Sequence, residues 1–154
     1  MTEAVLVRRI AARPSIVFDA LVTAEGMASW WGPDDLPVLA ATAEPRLNGS
    51  FRVRFRRLDG TEHECTGEFL EIVKPSHVVM SWRWIAGGPP DEADADNISR
   101  LEFRLRAIDT GTELTLIHSA LTTEESARSH VGGWGGALEK LLRKYPAQPA
   151  SQSG

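Results

Sequence analysis

Alternating apolar and polar residues in the middle of the chain constrain its fold most. The segment FRVRFR at residues 51–56 alternates apolar side chains with arginines, and RLEFRLR at 100–106 repeats this pattern. A period of two indicates strands with one buried and one exposed face. Further strands are predicted by the same criteria at 62–73, 77–85 and 112–119. Short turns such as LDGT join neighbouring strands, so the chain predicts an antiparallel sheet.

Two short helices are predicted between a first strand at 4–10 and this sheet. Pro14 suits the first position of one helix, and Thr23 is expected to cap the next. That second helix carries Trp30 and Trp31, which lie about 100° apart on a helix and cannot bury the same face. We expect one of them to anchor the helix in the core and the other to face a cavity.

A long amphipathic helix is predicted near the C-terminus. Thr122 and Glu125 have the spacing of a capping box, and apolar side chains then recur at helical intervals: Val131, Trp134, Leu138, Leu141, Leu142 and Tyr145. This helix is the expected cover for the apolar face of the sheet, in a segregated α+β arrangement. Because a twisted sheet curls, one helix covers it incompletely, and a pocket is expected beside the helix.

Length and composition indicate one domain, at residues 1–145, followed by a disordered tail at 146–154. A formal charge of −4 argues against nucleic acid as a partner, and no apolar run is long enough for a membrane span. The N-terminus has no unbroken apolar signal segment. With Cys65 as the single cysteine, a cytoplasmic protein is expected. The arginines of 52–57 predict an exposed sheet face or a landing site for an anionic partner.

Several segments in order resemble one known family: RPSIVFDALV, SWWGP, GEFLEI, HVVMSWRW, TELTLIHS and HVGGWGGALEKLL. Together they are similar to the family named after the ATPase activator of the 90-kDa heat-shock chaperone, within the START-like (SRPBCC) superfamily. The resemblance spans residues 5–145. It implies a helix-grip fold, in which a curved antiparallel sheet grips the C-terminal helix around a hydrophobic cavity.

Two features depart from that family. Bulkier residues usually follow its Gly-Trp pair, whereas Trp134 here lies among Gly132, Gly133, Gly135 and Gly136. At about 1 kcal/mol each, four glycines weaken a helix by about 4 kcal/mol relative to alanine. We therefore expect a kink or a close approach to the helix backbone. The acidic loop at 86–97 is also long, and the sequence leaves open whether it is a lid or only a solvated loop.

The expected cavity would be lined by large side chains on the inward faces of these elements. The candidates for ligand binding are Trp30, Trp31, Phe55, Met80, Trp82, Trp84, Phe103, His118 and Trp134. The alternative is that these side chains fill a core without a sizeable void. His118 shares the parity of inward leucines and is either a core histidine or a base, with Glu68 as its candidate carboxylate partner.

We expect binding of a small hydrophobic or aromatic molecule, because the sequence shows no recognisable catalytic set. A polyketide cyclase or aromatase is the alternative suggested by helix-grip relatives, and it would use His118 and Glu68. A chaperone-activator role is a further alternative, although the chain leaves no room for the additional N-terminal chaperone-binding domain. No metal site or cofactor is predicted, since the histidines lack zinc spacing. Whether the exposed sheet supports a homodimer stays open.

Overall fold

A computed structural model describes residues 2–88 and 97–146 of the chain. The described helices are α1 (Pro14–Val22), α2 (Ala24–Trp30) and α3 (Glu124–Lys144). The described strands are β1 (Thr2–Ile10), β2 (Val38–Ala43), β3 (Ser50–Arg56), β4 (Glu62–Val73), β5 (His77–Ala86), β6 (Ser99–Ile108) and β7 (Gly111–Leu121). The part of the predicted tail at 147–154 and most of the predicted loop at 86–97, namely 89–96, lie outside the described residues.

The strands form one antiparallel sheet in the order β1-β7-β6-β5-β4-β3-β2. Consecutive strands from β2 to β7 are neighbours, as the short turns predicted, and β1 pairs with β7 to complete one edge. The two short helices carry the chain from that edge to β2 at the other. Helix α3 packs on β1 and β7 and contacts α2, so the α+β helix-grip fold is confirmed.

The ends of the helices follow local capping chemistry. Pro14 occupies the first turn of α1, and the hydroxyl of Thr23 accepts a hydrogen bond from the Gly26 amide at 2.9 Å, as predicted. At α3, however, Thr123 caps the helix and accepts from the Ser126 amide at 3.0 Å. The capping box predicted at Thr122 is therefore wrong by one residue. Thr123 has the extended backbone that an N-cap requires.

Trp30 and Trp31 are both buried, because the helix ends between them. Trp30 is the last residue of α2, whereas Trp31 caps it in an extended conformation, with φ −63° and ψ 153°. The indole of Trp30 donates a hydrogen bond to the carbonyl of Ala20 at 2.8 Å and fastens α2 to α1. The 100° separation of helical neighbours does not apply to Trp31, which turns toward the sheet.

Charged side chains cover the outer face of the sheet in compensated groups. On this face the arginines of β3 form the ion pairs Arg52–Glu64, Arg54–Glu62 and Arg56–Glu62. Arg57, just beyond the strand, pairs with Asp34 beside the cavity. The carboxylate of Glu102 is nearly buried between Arg100, Arg104 and His77. Burial opposes its ionisation, but hydrogen bonds from these three neighbours lower the pKa of Glu102 to about 2. The basic strip of the sequence is thus locally neutralised.

Candidate ligand-binding site

A cavity of about 560 Å³ lies between the sheet, the segment 31–34 that follows α2, and the N-terminal half of α3. Its walls are mainly aromatic: Trp31, Phe55, His63, Trp82, Trp84, His130 and Trp134. Exposed residues at the end of β5 and the start of α3 form its mouth: Gly87, Thr123, Glu125 and Ser129. This volume is within the range of small-molecule binding sites, about 300–1,000 Å³.

Glycines on α3 explain both why the helix fits and why space remains. A Cβ at Gly136 would overlap the carbonyl oxygen of Pro33, so the helix backbone lies directly against the segment after α2. The expected close approach to the helix thus occurs at this glycine. Gly133 lines the cavity, and a Cβ there would meet only Pro33 Cβ, at 4.0 Å. A Cβ at Gly132 would meet nothing within 4 Å. Close approach therefore accounts for one of these glycines, and the cavity wall for another.

Trp82, on β5, is at the centre of the aromatic wall. Its ring stacks on Trp31 with centroids 5.8 Å apart and an interplanar angle of 16°. The rings of Trp84 and Trp134 meet it edge-on at 5.2 and 5.4 Å. Such offset and edge-to-face contacts are favourable beyond the burial of area alone. The rings therefore form one rigid, largely apolar surface.

Two indole N–H groups of this wall donate to imidazoles. Trp84 Nε1 donates to His130 Nε2 at 3.3 Å, and Trp134 Nε1 donates to His118 Nδ1 at 3.1 Å. An acceptor nitrogen carries no proton, so the remaining nitrogens bear the hydrogens. His118 Nε2 then donates to Ser99 Oγ at 2.7 Å, and His130 Nδ1 to the Ser126 carbonyl at 2.8 Å. Both imidazoles are consequently neutral in this arrangement.

The two histidine rings also lie close together, with centroids 4.6 Å apart. Burial, and secondarily the neighbouring His130, hold the pKa of His118 well below its usual value. Burial disfavours a charged imidazole, and a second imidazolium would repel it. The interior behind the cavity is therefore kept uncharged near neutral pH.

Lys140 fastens the segment after α2 to α3. Its ammonium donates to the carbonyls of Trp31 and Asp34 at 2.7 and 2.9 Å. Burial lowers the pKa of Lys140. The side chain of Asp34 in turn pairs with Arg57 at 3.0 Å, beside the mouth. One edge of the cavity is thereby fixed to both the helix and the sheet.

The structure divides the predicted ligand-binding residues into two groups. Five line the cavity: Trp31, Phe55, Trp82, Trp84 and Trp134. The other four, Trp30, Met80, Phe103 and His118, are fully buried and absent from the described lining. These four side chains lie on the inward faces of their strands or helix, but other side chains separate them from the cavity. Phe103, for example, lies against Trp30 and Trp134, with centroids 6.3 and 6.4 Å away.

The acid–base pair predicted from His118 and Glu68 is not formed. Gly67 and Phe69 face inward, so strand alternation turns Glu68 to the exposed outer face. Its backbone amide donates to Ser81 Oγ, whereas both ring nitrogens of His118 bond to Ser99 and Trp134. The prediction that Glu68 faces inward is wrong.

Apart from Trp134, sequence reasoning missed the residues that α3 contributes to the cavity. Ser126, His130, Gly133 and Ala137 follow one another at spacings of four, three and four, which is one face of a helix. Only large apolar positions were used to define the inward face of α3. The available signal was the row of small and polar side chains at these positions, beside the large apolar side chains of α3.

The described residues, 2–88 and 97–146, contain no group of three or more His, Cys, Asp or Glu side chains that could hold a metal ion. Among the helices of this part of the chain, none is both long and apolar enough to cross a membrane.

An antiparallel sheet closed by a long C-terminal helix, with a cavity between them, defines the helix-grip fold of START-like proteins. The model of the Activator of Hsp90 ATPase homolog 1-like protein family matches residues 11–145, and the chain belongs to this family. The comparison with curated proteins gave no match.

Solved structures share the fold at low sequence identity. A protein from Chromobacterium violaceum superposes with a TM-score of 0.78 at 18% identity, covering 96% of this chain and 100% of its own. The AHSA1 protein from Silicibacter pomeroyi gives 0.78 at 24% identity, over 93% and 96% of the two chains. A protein from Arthrobacter aurescens gives 0.74 at 20% identity, over 96% and 87%. The fold is therefore retained where most side chains differ.

Proposed function

We propose that this protein binds a small aromatic or otherwise apolar molecule in the cavity beside α3. The observation that carries this proposal is the cavity itself, whose wall contains four tryptophan side chains and the imidazoles of His63 and His130. Family and fold are consistent with a START-like ligand-binding domain. Aromatic walls supply large contact area at low cost in side-chain entropy.

The cavity is adequate for useful affinity. A ligand that removes about 400 Å² of apolar surface from water, counting its own surface and that of the wall, gains about 10 kcal/mol at about 25 cal/mol per Å². Loss of translational and rotational freedom offsets at least about 4 kcal/mol of that gain. The remaining gain of about 6 kcal/mol corresponds to a dissociation constant of about tens of micromolar at best for a purely apolar probe. The stacked rings of Trp31 and Trp82 are already ordered in the free protein, so little further ordering opposes binding.

Binding is favoured over the two alternatives by the positions of individual groups. A cyclase working through His118 and Glu68 would need these side chains in the cavity, and neither is there. A chaperone-activator role would place function on an outer surface, and the aromatic cavity gives it no support. A ligand-binding module would use the cavity, which these aromatic side chains form together.

The proposal is tested by a substitution on α3 that fills part of the cavity. Gly133→Leu would project a side chain into the space, whereas Gly132→Leu on the same helix would project into solvent. Both replacements remove one helix glycine, so they form a matched pair. Binding of 2-acetylnaphthalene is measured by titration, with tryptophan fluorescence and calorimetry as readouts. We expect Gly133→Leu to bind at least tenfold more weakly than the original protein, and Gly132→Leu to bind as the original protein does.

Native mass spectrometry of the purified protein would reveal a ligand carried through purification. A wider panel of lipids, flavonoids and naphthalenes extends the titration. Equal affinities for Gly133→Leu, Gly132→Leu and the original protein would place the binding elsewhere. The absence of any binding across the panel, with folded protein, would refute the proposal.

A further inference from the structure

Two polar side chains at the mouth of the cavity lie on one face of α3. Glu125 and Ser129 both line the cavity, and both are exposed. Residues four positions apart are neighbours on a helix surface, so this carboxylate and this hydroxyl are one turn from each other. The rest of the wall is mainly aromatic. A ligand whose apolar body fills the cavity would therefore present its polar end to this helix face.

The carboxylate of Glu125 gives the mouth a negative charge that no described residue compensates. Apart from histidines, Arg57 and Glu125 are the acidic or basic side chains of the described lining. The guanidinium of Arg57 is paired with Asp34 at 3.0 Å. Among residues 2–88 and 97–146, no group pairs with the carboxylate of Glu125 or with the hydroxyl of Ser129. Both groups are therefore available to a ligand.

The N-terminus of α3 does not reverse this charge. Its N-cap, Thr123, lines the cavity, so the positive end of the helix dipole, about half an elementary charge, lies at the mouth. Glu124 and Glu125 place two carboxylates in the first turn of the same helix. Burial, and secondarily Arg57, lower the pKa of His63 in the wall, which keeps that imidazole uncharged near neutral pH. The mouth consequently favours a cation over an anion.

We propose that the ligand is a hydrophobic amine, whose protonated nitrogen is bound by Glu125 and Ser129 while its apolar body fills the aromatic cavity. This inference rests on the proposed function and deepens it by naming the chemical class of the ligand. An ammonium group has only donors, and the carboxylate and hydroxyl oxygens supply acceptors for it. A position at the mouth leaves the ammonium partly hydrated, which avoids the cost of burying an isolated charge.

The experiment compares two probes of nearly the same shape. 2-Naphthylmethylamine is protonated at neutral pH, and 2-naphthylmethanol carries a hydroxyl group in place of the ammonium. The measured quantity is the ratio of their dissociation constants in each protein, because a ratio cancels general losses of packing. Glu125→Gln removes the carboxylate and keeps the shape of the side chain. Glu124→Gln is the matched control, since it removes an exposed carboxylate from the same helix turn that does not line the cavity.

We expect the original protein to bind the amine about two- to fivefold more tightly than the alcohol, which is the effect of one exposed ion pair. Glu125→Gln should abolish this preference, and Glu124→Gln should retain most of it. Raising the salt concentration from about 0.05 to about 0.5 M should reduce the preference in the original protein, because ions screen an exposed pair.

Three results would overturn the inference and leave the proposed function standing. The first is an alcohol that binds as tightly as the amine or more tightly. The second is an equal loss of the preference in both variants, which would assign it to the general charge of the helix end. The third is tighter binding of 2-naphthoate than of the alcohol, which would assign the polar end of the ligand to Arg57. Failure of every probe to bind the original protein would refute the proposed function, and the inference with it.

A second measurement needs no substitution. In the complex of the original protein with the amine, we expect nuclear Overhauser effects between the methylene protons of the probe and the side-chain protons of Glu125 and Ser129. Effects from these methylene protons to other parts of the wall, with none to Glu125, would contradict the inference even if Glu125→Gln failed to fold.

Discussion

Replacing Gly136 by alanine is expected to destabilise the protein, although alanine is the better helix former. An added Cβ would overlap the carbonyl oxygen of Pro33 and lie 2.9 Å from its carbonyl carbon. These are backbone atoms that cannot rotate away as the end of a flexible side chain can. The segment after α2 would have to move, and the ammonium of Lys140 holds that segment to the same helix.

The magnitude follows from two opposing terms. Removing a glycine from a helix interior gains about 1 kcal/mol, and forcing a methyl group against fixed backbone costs about 3 kcal/mol. The net loss is about 2 kcal/mol for Gly136→Ala. For Gly132→Ala only the first term applies, because no atom lies within 4 Å of the added Cβ. At about 2–4 °C per kcal/mol, the two variants should melt about 6 to 12 °C apart.

The assay is thermal and urea unfolding followed by far-ultraviolet circular dichroism, with both variants and the original protein at one pH. The decisive observation is the sign: Gly132→Ala should melt above the original protein and Gly136→Ala below it. If both variants are stabilised equally, Pro33 is not held against the helix, and the explanation of the helix glycine is refuted.

Two further predictions concern buried charge. Because His118 is held neutral when folded but takes a proton near pH 6.5 when unfolded, its contribution to stability is complete above that pH and decreases below it, by about 1.4 kcal/mol per pH unit. His118→Asn should reduce the dependence on pH of the free energy of unfolding, measured by urea unfolding between pH 7 and 5, which is above the range in which Glu102 titrates. If the free energy of unfolding changes with pH as steeply as in the original protein, this assignment is contradicted. Lys140→Met should lower stability by about 1–2 kcal/mol and speed amide exchange at Trp31, Gly32 and Asp34, and exchange as slow as in the original protein would argue against the tether.

The sequence predicted most of the fold because burial is one-sided in most of its elements. Strand β3, with the burial of Phe51 and Val53 alternating with exposed arginines, has the expected period of two. Strand β2, VLAATA, was not predicted, since an alanine-rich edge strand has neither strong alternation nor β-branched bulk. The capping residue of α3 was misplaced because Thr122 and Thr123 both suit that position, and only backbone geometry separates them.

The site was less predictable because inward-facing side chains have two environments. Trp82 and Phe103 lie on the apolar face of the same sheet, yet one borders the cavity and the other is covered. Which outcome applies depends on where α3 crosses the sheet, and that crossing is set by Gly136 against Pro33. Strand parity contains no information about such a contact. His130 was overlooked as a wall residue because its partner, Trp84, lies 46 positions away along the chain.

Hydrogen bonds between separate elements explain how an aromatic wall can border open space without collapsing. Apolar rings gain dispersion energy by closing a gap, so a cavity persists only if the rings are held in place. Trp84 is bonded from β5 to α3, Trp134 from α3 to β7, and Trp31 to Cys65 on β4. No described residue accepts a hydrogen bond from the indole of Trp82, which is positioned by the three held rings around it. The wall is therefore preorganised around the cavity, which lowers the entropy lost when a ligand binds there.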